Sequence, residues 1–468
     1  MPITRRQFAS MLAAGAAPPQ DRWNVLLITN DQHRADCLGA MGNPVIRTPR
    51  LDRLAQEGVL FERLFAQCPQ CVPSRSALHT GRYPHVNRTP SNLFRLPPGE
   101  ETLATLLDQN GYVTAAVGEL PFAPTKFLGG FQTVVASDPE YHAFQEARGW
   151  RGSKLTPERQ ALLEQYRQRS AKQFQAAPVP WPEELDETAF FAARAVEFLK
   201  AHRDRPFFLH VNFRRPHHPF DPPPPFDRMY EGARFPPSHR REGEMENKPP
   251  SQKKYLAQSV GFDLRTMTDR DLDRIKSHYY GMISLNDKYI GLMLDTLAES
   301  GLDSRTLVVF TSDHGEMLGD HGLLFKGGYF YDEVVRVPLI IRAPGKLPAV
   351  RRVGAMAETI DILPTILELL DLPVPSRVQG RSLMRKTSQP AHAEFANIKM
   401  IRTEDWKLVH YLHAPHGELY NLREDPHELY NLYDDPSAAP ARRQMQAALT
   451  DWLIDSEDPL LKPLPAGD

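Results

Sequence analysis

The chain has 468 residues, enough for a large core and more than one structural unit. Hydrophobic residues make up 41% and charged residues 24%, with a formal net charge of −2, so nothing global draws it to nucleic acid or an anionic membrane. Three cysteines exclude a disulfide scaffold, and 43 prolines point to long, extended loops.

Residues 1–20 read as a targeting segment. Thr4-Arg5-Arg6-Gln7-Phe8 resembles the twin-arginine export signal, and residues 11–17 form a short apolar stretch with small residues for cleavage. Export to the periplasm or beyond is the expectation, and no later run is long enough to span a bilayer. Residues 24–29 are continuously apolar, as in a buried parallel strand, and deliver Asn30-Asp31-Gln32-His33-Arg34 at their C-terminal end. Open α/β sheets place ligands at such ends. Thr48-Pro49 opens a helix that Gly58 closes, and residues 59–66 form the next strand.

Residues 71–82 follow, Cys71-Val72-Pro73-Ser74-Arg75-Ser76-Ala77-Leu78-His79-Thr80-Gly81-Arg82. Pro73 stiffens the backbone, Ser74 suits a helix cap and Gly81 a helix stop. The expectation is a short helix whose N-terminus presents Cys71 and Arg75 together, a place where an anion binds well. A thiol there is a candidate thiolate nucleophile in its own right. Cys68-Pro69-Gln70-Cys71 also reads as a redox or zinc CxxC. Zinc needs about four ligands, however, and only Cys37 remains as a further thiol.

Further along, residues 97–110 read as loop then helix ended by Gly111, and residues 112–117 as a strand. Residues 137–181 are polar and strandless, with a helical patch over 159–172, and read as an insertion near the mouth of a site. Residues 185–202 are an amphipathic helix, and the strand 206–213 feeds Arg214-Arg215-Pro216-His217-His218-Pro219. A proline-rich excursion runs to about residue 252. Residues 269–300 carry a strong helical period, and the apolar strand 306–311 ends in Ser312-Asp313-His314-Gly315. A strand over 336–342 and a helix over 359–370 complete an alternation that predicts a large, mostly parallel α/β sheet with helices on both faces. After about residue 385 the texture changes to short antiparallel strands around Trp406 and a helix near 442–454.

The stretch from Cys71 to Arg82 resembles the signature of the sulfatase family, Cys/Ser-x-Pro-Ser-Arg-x-x-Leu-x-Thr-Gly-Arg, at every specified position. The resemblance implies an alkaline-phosphatase-like hydrolase over nearly the whole chain after residue 20. It divides the chain into a signal at 1–20, a catalytic α/β domain at 21–385, and a small C-terminal antiparallel sheet-and-helix subdomain at 386–468. It also implies that Cys71 is oxidised to formylglycine by a maturation enzyme, and that the aldehyde hydrate attacks a sulfate ester.

Two distant apolar strands both end in metal-type residues, Asp31-Gln32 and Asp313-His314. Singly, each Asp is an ordinary solvated strand end. Together, beside residue 71, they make a mainly oxygen shell for one divalent cation, calcium first, with manganese or magnesium as alternatives. The family pattern matches Asp31, Asp313 and His314 as ligands, puts Lys326 at the substrate-binding lysine, and puts His217 beside the sulfate or the leaving oxygen. His33, His218 and His321 are left as loop or supporting residues.

One departure stands out. Where the family shows Gly-Tyr-x-Thr-x-x-x-Gly-Lys-x-His, this chain has Gly111-Tyr112-Val113-Thr114-Ala115-Ala116-Val117-Gly118-Glu119-Leu120-Pro121, without the Lys or the His. That loss, with Gln32 in place of a second acid, resembles the phosphonate monoester hydrolase branch, which implies Asn92, Tyr112 and Thr114 as site residues. Three readings follow: a sulfatase first, a phosphonate monoester or phosphodiester hydrolase second, and third an inactive binder of anionic glycans. The basic residues Arg148, Arg151, Lys154, Arg240 and Arg241 permit the last.

Overall fold

The computed structural model describes residues 22–119, 129–385 and 388–457, so the expected export signal lies outside the described residues, as do Leu120 and Pro121. Strand β1 (Asn24–Asp31) is buried along its whole length, as its unbroken apolar sequence requires. Helix α1 (Pro49–Glu57) starts after Thr48, stops at Gly58, and buries Leu51, Leu54 and Ala55. Then come β2 (Val59–Phe65), helix α2 (Cys71–Thr80), helix α3 (Leu103–Gln109), β3 (Val113–Gly118) and β4 (Thr133–Val135). Helices α4 (Pro157–Lys172) and α5 (Glu187–Ala201) precede β5 (Phe207–Pro216).

The 31-residue helix α6 (Asp269–Glu299) opens on a capping box. Thr268 accepts from the Asp271 amide, and the Asp271 carboxylate accepts from the Thr268 amide. Strands β6 (Thr306–Ser312), β7 (Arg336–Arg342), β8 (Arg351–Val353) and β9 (Ala357–Glu358) lead to helix α7 (Ile362–Leu369). The large sheet has the order β4-β3-β5-β1-β6-β7-β2-β8, with β9 paired to β2. Its pairings are parallel except those of β7, which runs against β6 and β2.

Side-chain alternation explains the two layers. Val25 and Leu27 face a core shared with Leu103, Leu107, Ile362 and Ile366 of α3 and α7. Leu26 and Ile28 face the other side, packed with Leu51, Phe191 and Ile290 of α1, α5 and α6. Helix α4 has no buried residue, and it attaches through Tyr166, whose hydroxyl donates to Asp221 at 2.7 Å in the loop that also carries His217.

A second sheet of four antiparallel strands follows, β10 (Ala391–Phe395), β11 (Ile398–Arg402), β12 (Trp406–Tyr411) and β13 (Gly417–Asn421), with helix α8 (Ala439–Asp455) against it. Its core of Ile401, Leu408, Leu419, Met445 and Trp452 continues into Ala77 of α2 and Ile360. The small sheet therefore closes over the back of the Cys71 helix. Among the described residues, no helix is long and apolar enough to cross a membrane.

Gly118 ends β3 at a close approach. Its φ is +107°, and a Cβ there would lie 2.0 Å from the Asn212 carbonyl oxygen. Gly118→Ala is expected to cost about 3 kcal/mol or more, read as a lowered thermal midpoint against the parent chain.

Candidate active site

The parallel register of β1 and β6 pairs Asn30 with Ser312, so the next residues, Asp31 and Asp313, leave the sheet side by side. Helix α2 meets them with its N-terminus. Its first residue is Cys71, preceded by Gln70 in extended conformation, and its C-terminus is closed by Gly81 at φ 63°. The helix thus begins four residues earlier than a Ser74 cap would allow. Ser74 instead sits inside the first turn and donates its hydroxyl to the Asp313 carbonyl at 2.5 Å, tying the helix to the second strand tip.

Around Cys71 the distances are short. Its sulfur is 3.2 Å from His314 Nε2 and 3.8 Å from Asp31 Oδ1. His314 Nε2 is 3.6 Å from Asp31 and 3.8 Å from Asp313. His314 Nδ1 donates to the Gly315 carbonyl at 3.0 Å, which leaves Nε2 as a lone pair aimed at the cluster. Asp313 accepts on Oδ1 from the amides of Gln32 (3.1 Å) and His314 (2.8 Å). Its Oδ2 is buried without a hydrogen-bond partner.

Asp31, Cys71, Asp313 and His314 are all buried, and each offers a ligand atom within 4.8 Å of the others. An orphaned carboxylate oxygen, a second carboxylate and an imidazole lone pair fit a divalent cation of the calcium, magnesium or manganese kind. Burial, with Lys326 next, lowers the His314 pKa to about 3, so its ring is neutral and ligand-competent at physiological pH. Burial also pushes the Asp313 carboxyl above the ordinary carboxylate range.

Arg75 and Lys326 supply the positive charge. Arg75 lies 3.2 Å from Asp31 and 3.8 Å from both Asp313 and Glu119. Lys326 donates to Gln32 Oε1 at 2.6 Å and lies 3.9 Å from Asp31. Burial alone would lower Lys326, but attraction to Cys71, Asp31 and Asp313 outweighs it and the shift is upward. Cys71 itself is held protonated, because burial and then the Asp31 carboxylate push its thiol well up. Without a cation in the cluster, burial and Asp31 therefore oppose a bare thiolate nucleophile. The CxxC reading fails as well, since Cys37, Cys68 and Cys71 are buried free thiols and the cation-type group around Cys71 contains no second cysteine.

Several other side chains expected here are brought close. Asn92 accepts from the Val72 amide at 3.0 Å, so it caps the second residue of α2 beside Cys71. Gln32 is at the cluster, but its amide is spoken for: Oε1 faces Lys326, and Nε2 donates to Glu316 and, at 3.2 Å, to His218 Nδ1. His217 donates Nδ1 to the His218 carbonyl and stacks on the His218 ring at 4.1 Å.

Tyr112 and Thr114 are corrections to the expectation. Tyr112 is core, and Thr114 donates to the Gly130 carbonyl at 3.0 Å. They sit at the wrong end of β3, where the strand's rise puts Thr114 about 13 Å from Gly118 at the site edge. Two residues at the cluster are additions. Glu316, directly after the Ser312–Gly315 motif, is buried and accepts from Gln32. His218, adjacent to His217, accepts from Gln32 on Nδ1, which leaves its ring proton on Nε2.

The mixed sheet, the nucleophile position at a helix N-terminus and the acidic strand tips together define the alkaline-phosphatase-like class of hydrolases. The sulfatase family profile matches residues 23–372, and that of the N-sulphoglucosamine sulphohydrolase C-terminal region matches 319–454. The chain belongs to the sulfatase family. It is 30% identical to the multifunctional alkaline phosphatase superfamily protein PehA of Trinickia caryophylli, over 93% of this chain and 96% of that one. An arylsulfatase of Clostridium perfringens is 29% identical over 86% of this chain and 89% of its own. The solved phosphonate monoester hydrolase of Agrobacterium radiobacter superposes with a TM-score of 0.82 at 29% identity, over 94% and 97% of the two chains.

Replacing Asp313 by Asn is expected to weaken calcium binding by about 100-fold or more, measured by titration calorimetry after chelator treatment. A pH test follows from the raised Asp313 pKa. The folded, metal-free protein takes up this proton before the unfolded chain does, so its stability rises as pH falls from neutral through the folded pKa. That portion of the rise is expected to be missing in Asp313→Asn, as read by thermal melts between pH 7.5 and roughly the ordinary carboxylate value of about 4.

Proposed function

We propose that this protein is a sulfatase of the arylsulfatase-like kind, a sulfuric ester hydrolase that uses one divalent cation and a formylglycine made from Cys71. The carrying observation is the meeting of Asp31, Asp313 and His314 around residue 71 at a buried helix N-terminus. Asp31, Asp313, His314 and residue 71 would hold the cation, calcium first on this donor set, with Gln32 Oε1 at its margin. When bound, the cation would neutralise charge on the transferring group, and formylglycine would supply a geminal diol in place of the thiol.

This chain's own side chains account for the rest. Arg75 and Lys326 hold the non-bridging oxygens of the anion, with the positive end of the α2 dipole behind them. Gln32 fixes the Lys326 ammonium by its 2.6 Å bond. His218 presents its Nε2–H as a hydrogen-bond donor. His217 is neutral in the free protein, because burial and then Lys326 hold its pKa well down, and with Nδ1 bonded its Nε2 is an acceptor. It serves as proton donor to the departing alcohol only after an anionic substrate offsets Lys326.

The specific features favouring the second reading, a phosphonate monoester or phosphodiester hydrolase, are Gln32 in place of an acid and Glu119 facing Arg75. Both readings share the nucleophile. The proposal extends to the export signal at 1–20, the catalytic domain at 21–385, the subdomain at 386–468, and maturation by a formylglycine-generating enzyme. Mass spectrometry of the 64–75 peptide from natively produced protein is expected to show the aldehyde at position 71. An unmodified thiol in all molecules would favour the anionic-glycan binder instead. With the aldehyde present, an aryl sulfate is expected to turn over faster than an aryl phosphonate ester, and the reverse order would select the second reading. Cys71→Ala is expected to lower kcat by about 1000-fold or more on either substrate.

A further inference from the structure

A second group of ligand-type side chains lies outside the catalytic cluster. His239 comes from within the proline-rich excursion, Glu333 from the helical turn Asp332–Val335, and His427 from the loop after β13. Their ligand atoms lie within 4.8 Å of one another. Glu333 carries an oxygen, Oε2, that is buried with no hydrogen-bond partner, and its side chain is only 9% exposed. His321 faces the same oxygen at 4.0 Å through Nε2, which is also buried and unpartnered. Its other nitrogen, Nδ1, is 2.5 Å from Glu244.

These contacts pose a chemical problem. If His321 Nδ1–H donates to Glu244 and the ring is neutral, Nε2 turns a lone pair toward an unpartnered carboxylate oxygen. That arrangement is repulsive unless a proton or a cation lies nearby. The rings of His239 and His427 lie beside this pair. They stack face to face at 3.4 Å and 11°, a geometry that two imidazolium rings would not hold. Asp320 steadies the set from behind, bonded to Arg34 at 2.6 Å and to the His239 amide at 2.6 Å.

We propose that His239, Glu333 and His427 form a second metal site, selective for zinc-type ions, that fastens the C-terminal subdomain to the catalytic domain. Two imidazoles and one carboxylate, with a fourth position open to water, are a donor set that zinc favours and calcium does not. The catalytic cluster, with two carboxylates, has the opposite preference. His321 and Asp320 stand outside the coordinating set and orient it. This site stands independently of the reaction proposed above.

The test uses the full chain with calcium retained at the catalytic cluster, titrated with zinc ions and, separately, with cobalt(II) as a spectroscopic probe. One equivalent of zinc beyond the calcium is expected, with a rise of a few degrees in thermal midpoint and visible cobalt absorption. Zinc affinity is expected to fall by about 10-fold or more in His427→Ala and His239→Ala, and to persist in Asp313→Asn. Both histidines are partly exposed, and His427→Gln serves if an alanine variant fails to fold. Equal zinc stoichiometry and midpoint shift in the parent and in His427→Ala or His427→Gln would overturn the proposal. So would a parent chain that binds no zinc.

Discussion

The structure depends on the burial of two carboxylates at the tips of neighbouring parallel strands. Asp31 and Asp313 leave β1 and β6 at adjacent register positions, and both are almost wholly buried. Like charges so placed repel strongly in a low-dielectric interior, and desolvation adds to the cost. The surrounding protein offsets part of it. Arg75 reaches both carboxylates, Lys326 reaches Asp31, and two backbone amides converge on one oxygen of Asp313. The other Asp313 oxygen is left without a partner. The compensation is incomplete in a way that a divalent cation completes.

Much of the remaining architecture holds that arrangement rigid. All of α2 is buried, with Ala77 packed under the small C-terminal sheet. The Ser74 hydroxyl links α2 to β6, and Asn92 satisfies one of the helix's free amides. Behind Gln32, Tyr279 of α6 donates to the Gln32 carbonyl at 2.6 Å and accepts from the Arg34 amide at 3.0 Å. The long helix therefore sets the bend by which the chain leaves β1, where Gln32 takes a φ of 69°. A buried lysine of the subdomain, Lys407, pairs with Asp332 and Glu428, both at 2.6 Å, and locks the small sheet to the segment before β7. Rigid support of this kind keeps reacting groups within small tolerances.

What the sequence made legible was local. Unbroken apolar runs marked β1 and β6, and the strand tips followed from them. The helical period over 269–300 marked α6, while Gly58 and Gly81 marked helix ends. Tertiary partners decided the failures. Ser74 reads as a cap because its residue type suits one, yet its hydroxyl is drawn to the Asp313 carbonyl from a distant strand. Tyr112 and Thr114 belong to the right strand, but a strand has two ends, and the sheet's direction puts theirs away from the cluster. Glu316 and His218 are tied to the cluster through Gln32, a long-range partner that no spacing rule reveals.

Gln32 is also where the charge pattern of this site is set. The family pattern has an acid there, and this chain has an amide whose oxygen meets Lys326 and whose nitrogen meets the Glu316 carboxylate. A neutral oxygen in place of a carboxylate removes one negative charge from beside the cation, while Glu316 keeps a carboxyl one step farther out. Lys326 is then held by a dipole instead of a full opposite charge, so more of its field reaches an anion in the pocket. Glu119, half-exposed and 3.8 Å from Arg75, works in the other direction by drawing on the second cation. The two departures from the family pattern therefore offset each other. The unspent positive charge of the cluster shifts from the Arg75 side toward Lys326, in the loop that follows β6.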